Sequence, residues 1–444
     1  MGFNKDMRSY AGTMLETVIR NDKIPDEKYR ELDVKRGLRD LDGRGVITGL
    51  TNISDVISFK EENGERIPID GELWYRGYNV RNLVKKYTEV GFGYENLAYL
   101  LLFGEMASID QAKEFVSLLE RSRDLPTNFT RDVIMKAPTQ DIMSSMTRSI
   151  LTLASYDKRA LETDLQNVIR QCLNLIAVFP MLAIYAYHAY NHYENLESMY
   201  IHRPEEGRST AEQILMMLRP DKSCTEVEAR VLDAALMLHM EHGGGNNSTF
   251  TTRVVTSSGS DTYATIAAAM SSLKGPRHGG ANIKVIQMMQ DIREHVKDWS
   301  DDDEIREYLN RMLMGAVFDH KGLIYGMGHA VYSVSDPRER IFKSFVERLA
   351  AAKGREEDLM LYNKIETLAP EVIAERRRIY KGVSPNVDFY SGFVYEMLNI
   401  PMELYTPIFA IARIAGWSAH RLEEIVAMGK IIRPAYVSVM KHLE

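Results

Sequence analysis

Residues 108–120, SIDQAKEFVSLLE, decide the fold class of this chain. Ser108 and Gln111 have the spacing of a capping box, in which two side chains bond to backbone N–H groups at the start of a helix. Four apolar residues then recur at the offsets i, i+3, i+4 and i+7, which place them on one helical face: Ala112, Phe115, Val116 and Leu119. The stretch therefore predicts an amphipathic α-helix.

The same offsets recur after the acidic stretch SDDDE at 300–304, where they relate Ile305, Tyr308, Leu309 and Met312. Acidic residues stabilise the positive end of the helix dipole, so this stretch is typical of a helix start. Strand-like alternation is confined to the region between Gly45 and Val80, where VITGL, DVISF and ELWYRGY occur around the polar turn EENGER. We predict an all-α, mostly helical fold with a small β-hairpin region near the N-terminus.

The composition is that of an ordinary globular protein. Of 444 residues, 45% are hydrophobic and 26% are charged, which excludes a disordered chain, a collagen-like fibre and a disulfide scaffold. The net charge of −7 argues against a dedicated nucleic-acid binder. Cys172 and Cys224 are the only cysteines and form no CxxC motif, so we expect reduced thiols.

No segment predicts export or membrane insertion. The N-terminal residues mix acids with bases and contain no apolar stretch of signal-peptide type, so we expect a cytoplasmic protein. The most apolar window, 175–187, is shorter than the roughly 20 residues that a membrane-spanning helix needs. It predicts a buried helix that contains Pro180 as a kink or break. A partner chain is a second candidate for burying this window.

Two Gly- and Pro-rich breaks are candidate domain boundaries: GPRHGGAN at 275–282 and GVSPNVDFYSG at 382–392. They bracket a helical segment of about a hundred residues. A segment hinged at both ends can close over a cleft, and glycine beside polar side chains is what such hinges require.

Several histidines lie beside glycines, where bare backbone permits close approach to a ligand. In HMEHGGGNNSTFT, His239 and His242 are three residues apart, whereas the zinc motif HExxH places its histidines four apart. We therefore predict no metal site, a small-ligand contact for His242 and a structural role for His239. The glycines match neither the dinucleotide motif GxGxxG nor GxxxxGK[ST], and the GxSxG elbow is absent.

One acid and three arginines complete the set of candidate groups. Asp388, in SPNVDFYSG, can act as a general base if its loop holds it in a partly desolvated cleft. The alternative for Asp388 is an Asx-turn or a helix cap. Arg338, Arg413 and Arg433 can grip carboxylates through bidentate contacts, although each alone is also typical of an ordinary salt bridge.

Six motifs follow one another along the chain: HMEHGGGNNSTFTTRVV, SSLKGPRHGGAN, GMGHAVYSVSDPR, SPNVDFYSG, ARIAGW and IIRPAY. Their order and approximate spacing resemble the citrate synthase family, and GLRDLDGRGVITGLTNISDV and GELWYRGYNV resemble that family's N-terminal region. The resemblance implies a mostly helical homodimer whose smaller domain closes over a cleft. Carried onto this chain, it assigns residues 1–279 and 393–444 to the large domain and residues 280–392 to the small domain.

The resemblance also implies a reaction and its residues. An acyltransferase of this family condenses acetyl-CoA with oxaloacetate and hydrolyses the thioester to give citrate and CoA. Asp388 matches the base that takes a methyl proton, His278 matches the group that stabilises the thioester oxygen, and His329 matches the residue that polarises the keto carbon. His242, His329, Arg338, Arg413 and Arg433 match the oxaloacetate contacts, with Arg433 contributed across the dimer interface.

The CoA contacts depart from the family pattern. Many relatives carry a basic residue four positions after the histidine that matches His329, and this chain has Ser333 there. Arg277 and Lys381 are the candidate substitutes for binding CoA phosphate. The CoA thioester is a substrate, and the resemblance implies no further cofactor, no nucleic acid and no membrane.

Three alternatives compete with this interpretation. A 2-methylcitrate synthase uses propionyl-CoA, and one extra methylene is a difference that the motifs do not settle. A histidine-rich metallohydrolase requires a bound metal, and a non-catalytic helical scaffold tolerates loss of Asp388 and His278. Neither of the last two accounts for the combination of imidazoles, acid and arginines.

Overall fold

The computed structural model describes residues 5–40, 44–329, 331–376, 382–427 and 429–440. These residues form seventeen α-helices and one small sheet, which confirms the predicted mostly helical fold. The helices are α1 Lys5–Asp22, α2 Asp26–Glu31, α3 Val80–Val90, α4 Gly93–Phe103, α5 Ile109–Arg121, α6 Ile142–Leu153, α7 Leu165–Asn195, α8 Thr210–Leu218, α9 Glu226–His239, α10 Asn247–Ser257, α11 Thr262–Lys274, α12 Ala281–His295, α13 Asp302–Leu313, α14 Pro337–Lys353, α15 Glu356–Arg376, α16 Val387–Met397 and α17 Tyr405–Val426. Short 3₁₀ turns occur at Arg36–Leu38, Ala154–Tyr156 and Met402–Leu404, and a π-helical turn at Thr130–Ile134.

Both helices predicted in detail are present. α5 begins with the capping box of Ser108 and Gln111, and it buries Phe115 and Leu119. α13 follows the N-cap Asp301, whose carboxylate accepts backbone N–H groups from Asp303 and Glu304. The four apolar residues of the predicted α13 stripe are all buried: Ile305, Tyr308, Leu309 and Met312. Capping and apolar spacing together predicted these two elements correctly.

The sheet is antiparallel with the order β1–β2–β3, where β1 is Ser54–Glu62, β2 is Glu65–Tyr75 and β3 is Tyr78–Asn79. Asn63 and Gly64 have φ values of 54° and 80°, as a two-residue hairpin turn that matches the strand twist requires. The prediction of strands at DVISF and ELWYRGY is confirmed up to Tyr75. The prediction of a strand at VITGL is wrong, because residues 46–50 form no strand. Ile47 and Leu50 in this stretch are 89% and 91% exposed.

β2 carries a bulge opposite a single residue of β1. Ile57 pairs with Glu72, but Phe59 pairs with Pro68, so residues 69–71 of β2 face Ser58 alone. Extra residues of this kind bend a strand locally and change the direction in which its backbone faces. The bulge therefore turns part of β2 out of regular pairing.

The chain divides into two compact units, residues 1–50 and residues 51–444. The first contains α1, α2 and the turn Arg36–Leu38, and a β-bridge joins Arg39 to Gly45. The second contains all the other helices and the sheet. The division into domains at residues 279 and 392 stays a prediction.

Two long helices form the centre of the second unit. α7 and α17 pack against each other and bury side chains on most sides, which is typical of core helices. Among the described helices, α7 alone is long and apolar enough to span a membrane, and 78% of its most apolar stretch is buried in the fold. The predicted burial of the window 175–187 is confirmed, with Pro180 inside the helix, and this chain alone supplies the cover.

Helix ends and a pair of loops place the candidate residues. α9 ends at His239, just before His242, and α17 passes close to this end because Gly416 has no side chain: a Cβ there would lie 2.2 Å from the Met240 carbonyl oxygen. Elsewhere, Gly328 N–H donates to Ser384 O over 2.8 Å and Asn386 N–H donates to Gly326 O over 2.9 Å. These bonds join the segment before His329 to the segment before α16.

The second predicted break is shorter than expected. Residues 387–392 belong to α16, whose N-cap is Asn386, so Asp388 lies in the first turn of a helix and not in a loop. The Asn386 side chain accepts the Asp388 backbone N–H over 3.0 Å. Capping by Asn386 therefore shortens the non-helical part of this break, which the structure describes over residues 382–386, and α16 begins at Val387.

Candidate active site

Two predicted histidines lie together against a tyrosine. The ring centroids of His242 and His329 are 5.0 Å apart, and the Tyr332 ring stacks on His329 at 4.9 Å. Burial lowers the pKa of His242 well below its ordinary value, and the charge of Arg338 adds to this effect. The Nε2 atom of His242 is shielded from solvent and has no hydrogen-bond partner among the described residues. A ligand oxygen or hydroxyl can therefore occupy that position.

The hydrogen bonds of His329 define which nitrogen carries its proton. Nδ1 accepts the backbone N–H groups of Val331 at 3.1 Å and Tyr332 at 3.2 Å. The neutral ring then carries its hydrogen on Nε2. Burial, with the Arg338 charge adding to it, lowers the pKa of His329 to about 4, so the ring is neutral near pH 7. Nε2–H is thus left free to donate to a substrate.

Arg338 lies beside this free donor. Its Nη2 is 3.4 Å from Nε2 of His329, and since both atoms are donors they cannot bond to each other. An oxygen placed between them satisfies both. The guanidinium is held by Asp336, whose carboxylate accepts hydrogen bonds from Nε over 3.0 Å and from Nη2 over 2.7 Å. Both side chains of this pair are at least 95% buried.

A second buried guanidinium comes from α17. Arg413 is 2% exposed, donates from Nε to the His239 carbonyl over 2.7 Å, and stacks over the Phe409 ring at 4.6 Å. Burial lowers the pKa of Arg413 to about 10, so it remains charged near pH 7. Its terminal nitrogens bond to no described residue. They are available to a carboxylate.

The carboxylate of the candidate site is that of Asp388. Its carboxylate accepts no hydrogen bond from a described residue, and burial raises its pKa to about 6 against the opposing charge of Arg338. A carboxylate without stabilising donors is a stronger base than an exposed aspartate, yet with a pKa of this size it is still ionised at pH 7. This combination suits a group that must accept a proton from a weak acid.

His278 has the opposite tautomer from His329. Its Nε2 accepts the backbone N–H of Ser248 at 3.3 Å and lies 2.9 Å from the Ser248 hydroxyl, which in turn accepts the indole N–H of Trp417 at 3.2 Å. The neutral ring then carries its hydrogen on Nδ1. Burial, with the Arg413 charge adding to it, lowers the pKa of His278 to about 4. His278 is therefore a neutral donor near pH 7.

The candidate residues lie around two positive charges, those of Arg338 and Arg413. The charge of Arg338 acts on the pKa values of His242, His329 and Asp388, and the charge of Arg413 acts on those of His278 and Asp388. Six of the predicted residues converge in this way: His242, His278, His329, Arg338, Asp388 and Arg413. Two neutral N–H donors, two guanidiniums and one basic carboxylate can hold a small carboxylate that bears a carbonyl and remove a proton beside it.

The other predicted residues are not in this cluster. Arg433 is exposed in the segment 429–440, which has no regular secondary structure, and it makes no hydrogen bond or ion pair with the described residues. Arg277 is exposed next to His278, and Ser333 is buried. Lys381 lies outside the described residues.

Sequence reasoning missed the groups that support the site. Asp336, which fixes Arg338, is one of them. Another is a buried network in which Oε1 of Glu241 accepts from the Ser54 hydroxyl over 2.8 Å and lies 3.0 Å from Nε2 of His420. Nδ1 of His420 accepts from Arg253 over 2.7 Å, and Arg253 also pairs with Glu423 and Glu424.

This network binds the segment that carries His242. The Ser54 hydroxyl accepts the Gly243 backbone N–H over 3.2 Å, and the Glu241 carbonyl accepts the Tyr75 hydroxyl over 3.0 Å. Each of these contacts joins residues more than 150 positions apart in the chain, so no motif spacing connects them. The expected structural role of His239 agrees with its bond from Nδ1 to the Ala235 carbonyl at 2.7 Å.

No group of three or more histidine, cysteine or acidic side chains suited to a metal ion occurs in the described part of the chain. The absence of a metal requirement stays a prediction.

Three comparisons relate this geometry to known proteins. The family model described as "Citrate synthase, C-terminal domain" matches residues 38–435. A citrate synthase of Synechocystis sp. is 34% identical over 375 residues, covering 84% of this chain and 86% of that protein. A 2-methylcitrate synthase of Shewanella oneidensis is 31% identical over 376 residues, covering 83% of this chain and 89% of that protein. The crystal structure of citrate synthase from Pyrobaculum aerophilum superposes with a TM-score of 0.74 at 27% identity, covering 90% of this chain and 92% of that one.

Proposed function

The chain belongs to the citrate synthase family of acyl-transferring, condensing enzymes, and from that premise we propose that it condenses acetyl-CoA with oxaloacetate to give citrate and CoA. One observation carries the proposal. The half-buried carboxylate of Asp388, which accepts no hydrogen bond from the described residues, lies within reach of the charges of two guanidiniums, Arg338 and Arg413. The two guanidiniums can hold a carboxylate substrate, and the carboxylate of Asp388 can remove a proton from a second substrate bound next to it.

The first step is formation of the enol. Asp388 takes a proton from the methyl carbon of the thioester, and the electron pair moves toward the thioester oxygen. His278 donates a hydrogen bond to that oxygen from Nδ1, the nitrogen that its contact with Ser248 leaves protonated. A thioester methyl is too weak an acid for a carboxylate alone, so the two groups must act together.

The second step forms the carbon–carbon bond. The enol carbon attacks the keto carbon of oxaloacetate, and the keto oxygen becomes an alkoxide that takes a proton. His329 donates from Nε2 to that oxygen, and Arg338 lies close enough to share it. Arg413 and His242 hold the carboxylates, which fixes the acceptor and replaces a two-body encounter by an oriented one. Water then cleaves the thioester of the condensed product, releasing CoA and citrate.

A second acyl group has a specific observation in its favour. The Shewanella oneidensis relative is a 2-methylcitrate synthase, and its similarity to this chain is close to that of the citrate synthase from Synechocystis sp.. Propionyl-CoA is therefore the alternative donor. Every step above is unchanged except that the proton leaves a methylene carbon.

Initial rates with the two thioesters test the proposal. CoA release is followed with oxaloacetate and either acetyl-CoA or propionyl-CoA, with Asp388→Asn protein as the control for non-enzymatic release. A higher kcat/KM for acetyl-CoA is expected. A higher value for propionyl-CoA would assign 2-methylcitrate synthesis instead, and release with neither thioester would contradict an acyl-CoA condensation.

We also propose that the protein is a cytoplasmic homodimer in which Arg433 of the partner subunit reaches the oxaloacetate. We propose in addition that the phosphates of CoA bind near Arg277. Arg433 is exposed and makes no hydrogen bond or ion pair with the described residues, which supports the first point. Burial of the window 175–187 within one chain removes that window as support for a partner. The dimer proposal therefore depends on the tail and on the family.

A further inference from the structure

The bulge in β2 lies against the segment that carries His329. Its last residue, Gly71, is buried, and its backbone N–H donates to the Ser335 hydroxyl over 3.2 Å. The Ser335 hydroxyl donates to the carboxylate of Asp70 over 2.9 Å. Gly71, through its backbone N–H, and Asp70, through its carboxylate, thus both bind the Ser335 hydroxyl.

Gly71 is packed more tightly than any side chain would allow. A Cβ at this position would lie 2.3 Å from the Ser335 carbonyl oxygen and 2.5 Å from Cδ1 of Tyr332. Ordinary contacts of a Cβ begin at 3.4 Å, so the backbone at Ser335 would have to move by about 1 Å. The close approach of β2 to this segment therefore requires glycine at position 71.

Tyr332 connects this contact to the imidazole. Its ring is buried between Gly71 and His329, its hydroxyl lies 3.4 Å from the Glu72 carbonyl, and its backbone N–H donates to Nδ1 of His329. The same ring packs edge-on against His242 at 5.5 Å. A displaced Tyr332 would therefore change both the orientation of His329 and the bond that sets its tautomer.

Two further contacts continue along the same segment. Asp336, which follows Ser335, fixes Arg338. Arg340 pairs with Asp70 over 3.0 Å, but both side chains are largely exposed, so this ion pair contributes little. The buried contact at Gly71 is therefore the one that bears on the site.

We propose that the β2 bulge is a positioning element for condensation: Gly71 and Ser335 are positioning residues that set the orientation of His329 through Tyr332. The inference rests on the proposed function, because it concerns the residue that polarises the keto carbon. On the predicted division of the chain, Gly71 belongs to the large domain and residues 331–336 to the small domain. The same contact then joins the two predicted domains when the cleft is closed.

Gly71→Ala is the direct test, with Gly49→Ala as the matched control. Gly49 has open space around its Cβ position and an ordinary φ, so alanine fits there. For Gly71→Ala we expect kcat to fall by about 100-fold, because a displacement of about 1 Å at a reacting group has an effect of this size. The KM for oxaloacetate should rise and the KM for the acyl-CoA should stay within about twofold, since His278 and Asp388 are untouched.

Ser335→Ala provides a second variant with less disturbance of the fold. It removes the hydroxyl that accepts the Gly71 N–H and leaves that buried donor unpaired, so we expect kcat to fall by about tenfold. Hydrogen exchange with oxaloacetate bound should be faster in both variants across residues 331–340 than in the wild type. Thermal unfolding identifies any variant that has lost its fold.

The outcomes separate this inference from the proposed function. A purely structural role for the bulge would lower the thermal midpoint and the active fraction, while the KM for oxaloacetate and the exchange of residues 331–340 stayed as in the wild type. That result in either variant would overturn the inference. Inactivity of the wild type and of Gly49→Ala with both thioesters would instead overturn the proposed function.

Discussion

Helix α17 and the irregular segment 429–440 each contain an arginine that the family resemblance assigns to oxaloacetate binding, yet the surroundings of the two arginines differ. Arg413 on α17 is buried, with its Nε bonded to the His239 carbonyl and its plane over Phe409. Arg433 is exposed and has no polar partner among the described residues. Contacts within one chain therefore hold Arg413 in place, whereas the role proposed for Arg433 needs a contact that the described residues do not make.

The largest effect is expected from replacing Asp388, the proposed base. Asp388→Asn should lower kcat by about 1,000-fold or more, because an amide keeps the shape of the carboxylate but cannot accept a proton. Oxaloacetate binding, measured by calorimetry, should be retained, since the buried arginines are unchanged. A variant that keeps most of its kcat would show that Asp388 is not the base.

The next effect compares two buried arginines of one helix. Arg413→Lys should weaken oxaloacetate binding by about 2 to 5 kcal/mol, because lysine cannot reproduce the bidentate grip of a desolvated guanidinium. Arg421 is also buried on α17, but its nitrogens bond to Thr256, Thr262, Thr265 and the Ser260 carbonyl.

Arg421→Lys is therefore the control for damage to the helix. It should lower the thermal midpoint and leave the KM for oxaloacetate close to that of the wild type. Equal rises in KM for the two variants would mean that Arg413 acts only through the packing of α17.

A smaller effect is expected from pH. Burial raises the pKa of Asp388 to about 6, so protonation below that value removes the base and kcat/KM should fall by about tenfold per pH unit. His278 and His329, with pKa values lowered to about 4, stay neutral between pH 5 and 7 and add no second loss there. A profile that is flat from pH 5 to 7 would contradict the basic character assigned to Asp388.

No effect at all is expected from chelation. In the proposed mechanism, histidines, arginines and Asp388 stabilise every charge and move every proton. The spacing of His239 and His242 also does not match a zinc motif. Activity after exhaustive dialysis against a chelator should equal that of the untreated protein. Loss of activity that zinc restores would overturn this assignment.

The sequence predicted the helices and the buried half of the site because both depend on local patterns. Capping and apolar spacing define α5 and α13, and short motifs around His242, His329 and Arg413 marked candidate residues that the fold brings together. The error at residues 46–50 has a physical reason: alternation describes one strand, but a strand exists only if another strand pairs with it.

The sequence did not predict the supporting contacts, for two different reasons. Glu241, His420 and Arg253 meet only through the tertiary fold, and a single sequence contains no signal that links positions so far apart. Asp336 was within reach, since an aspartate followed by proline is typical of a helix start. Asn386 was likewise readable as the cap that places Asp388 in a helix.

The difference between the two arginines supports the proposal that Arg433 completes the site of the partner subunit. Inactive Arg433→Ala protein is mixed with inactive Asp388→Asn protein under conditions that exchange subunits, with Lys430→Ala as the control for a charge lost from the same segment. If Arg433 acts in trans, each mixed dimer has one site with both lesions and one site with neither.

Activity should then reappear at about one quarter of the wild-type level for equal amounts of the two proteins, because half of the dimers are mixed and each of these has one intact site. If Arg433 acts within its own chain, every site carries a lesion and the mixture stays inactive. Recovery of activity is the predicted result, and absence of recovery after exchange has been verified by mass would contradict the account.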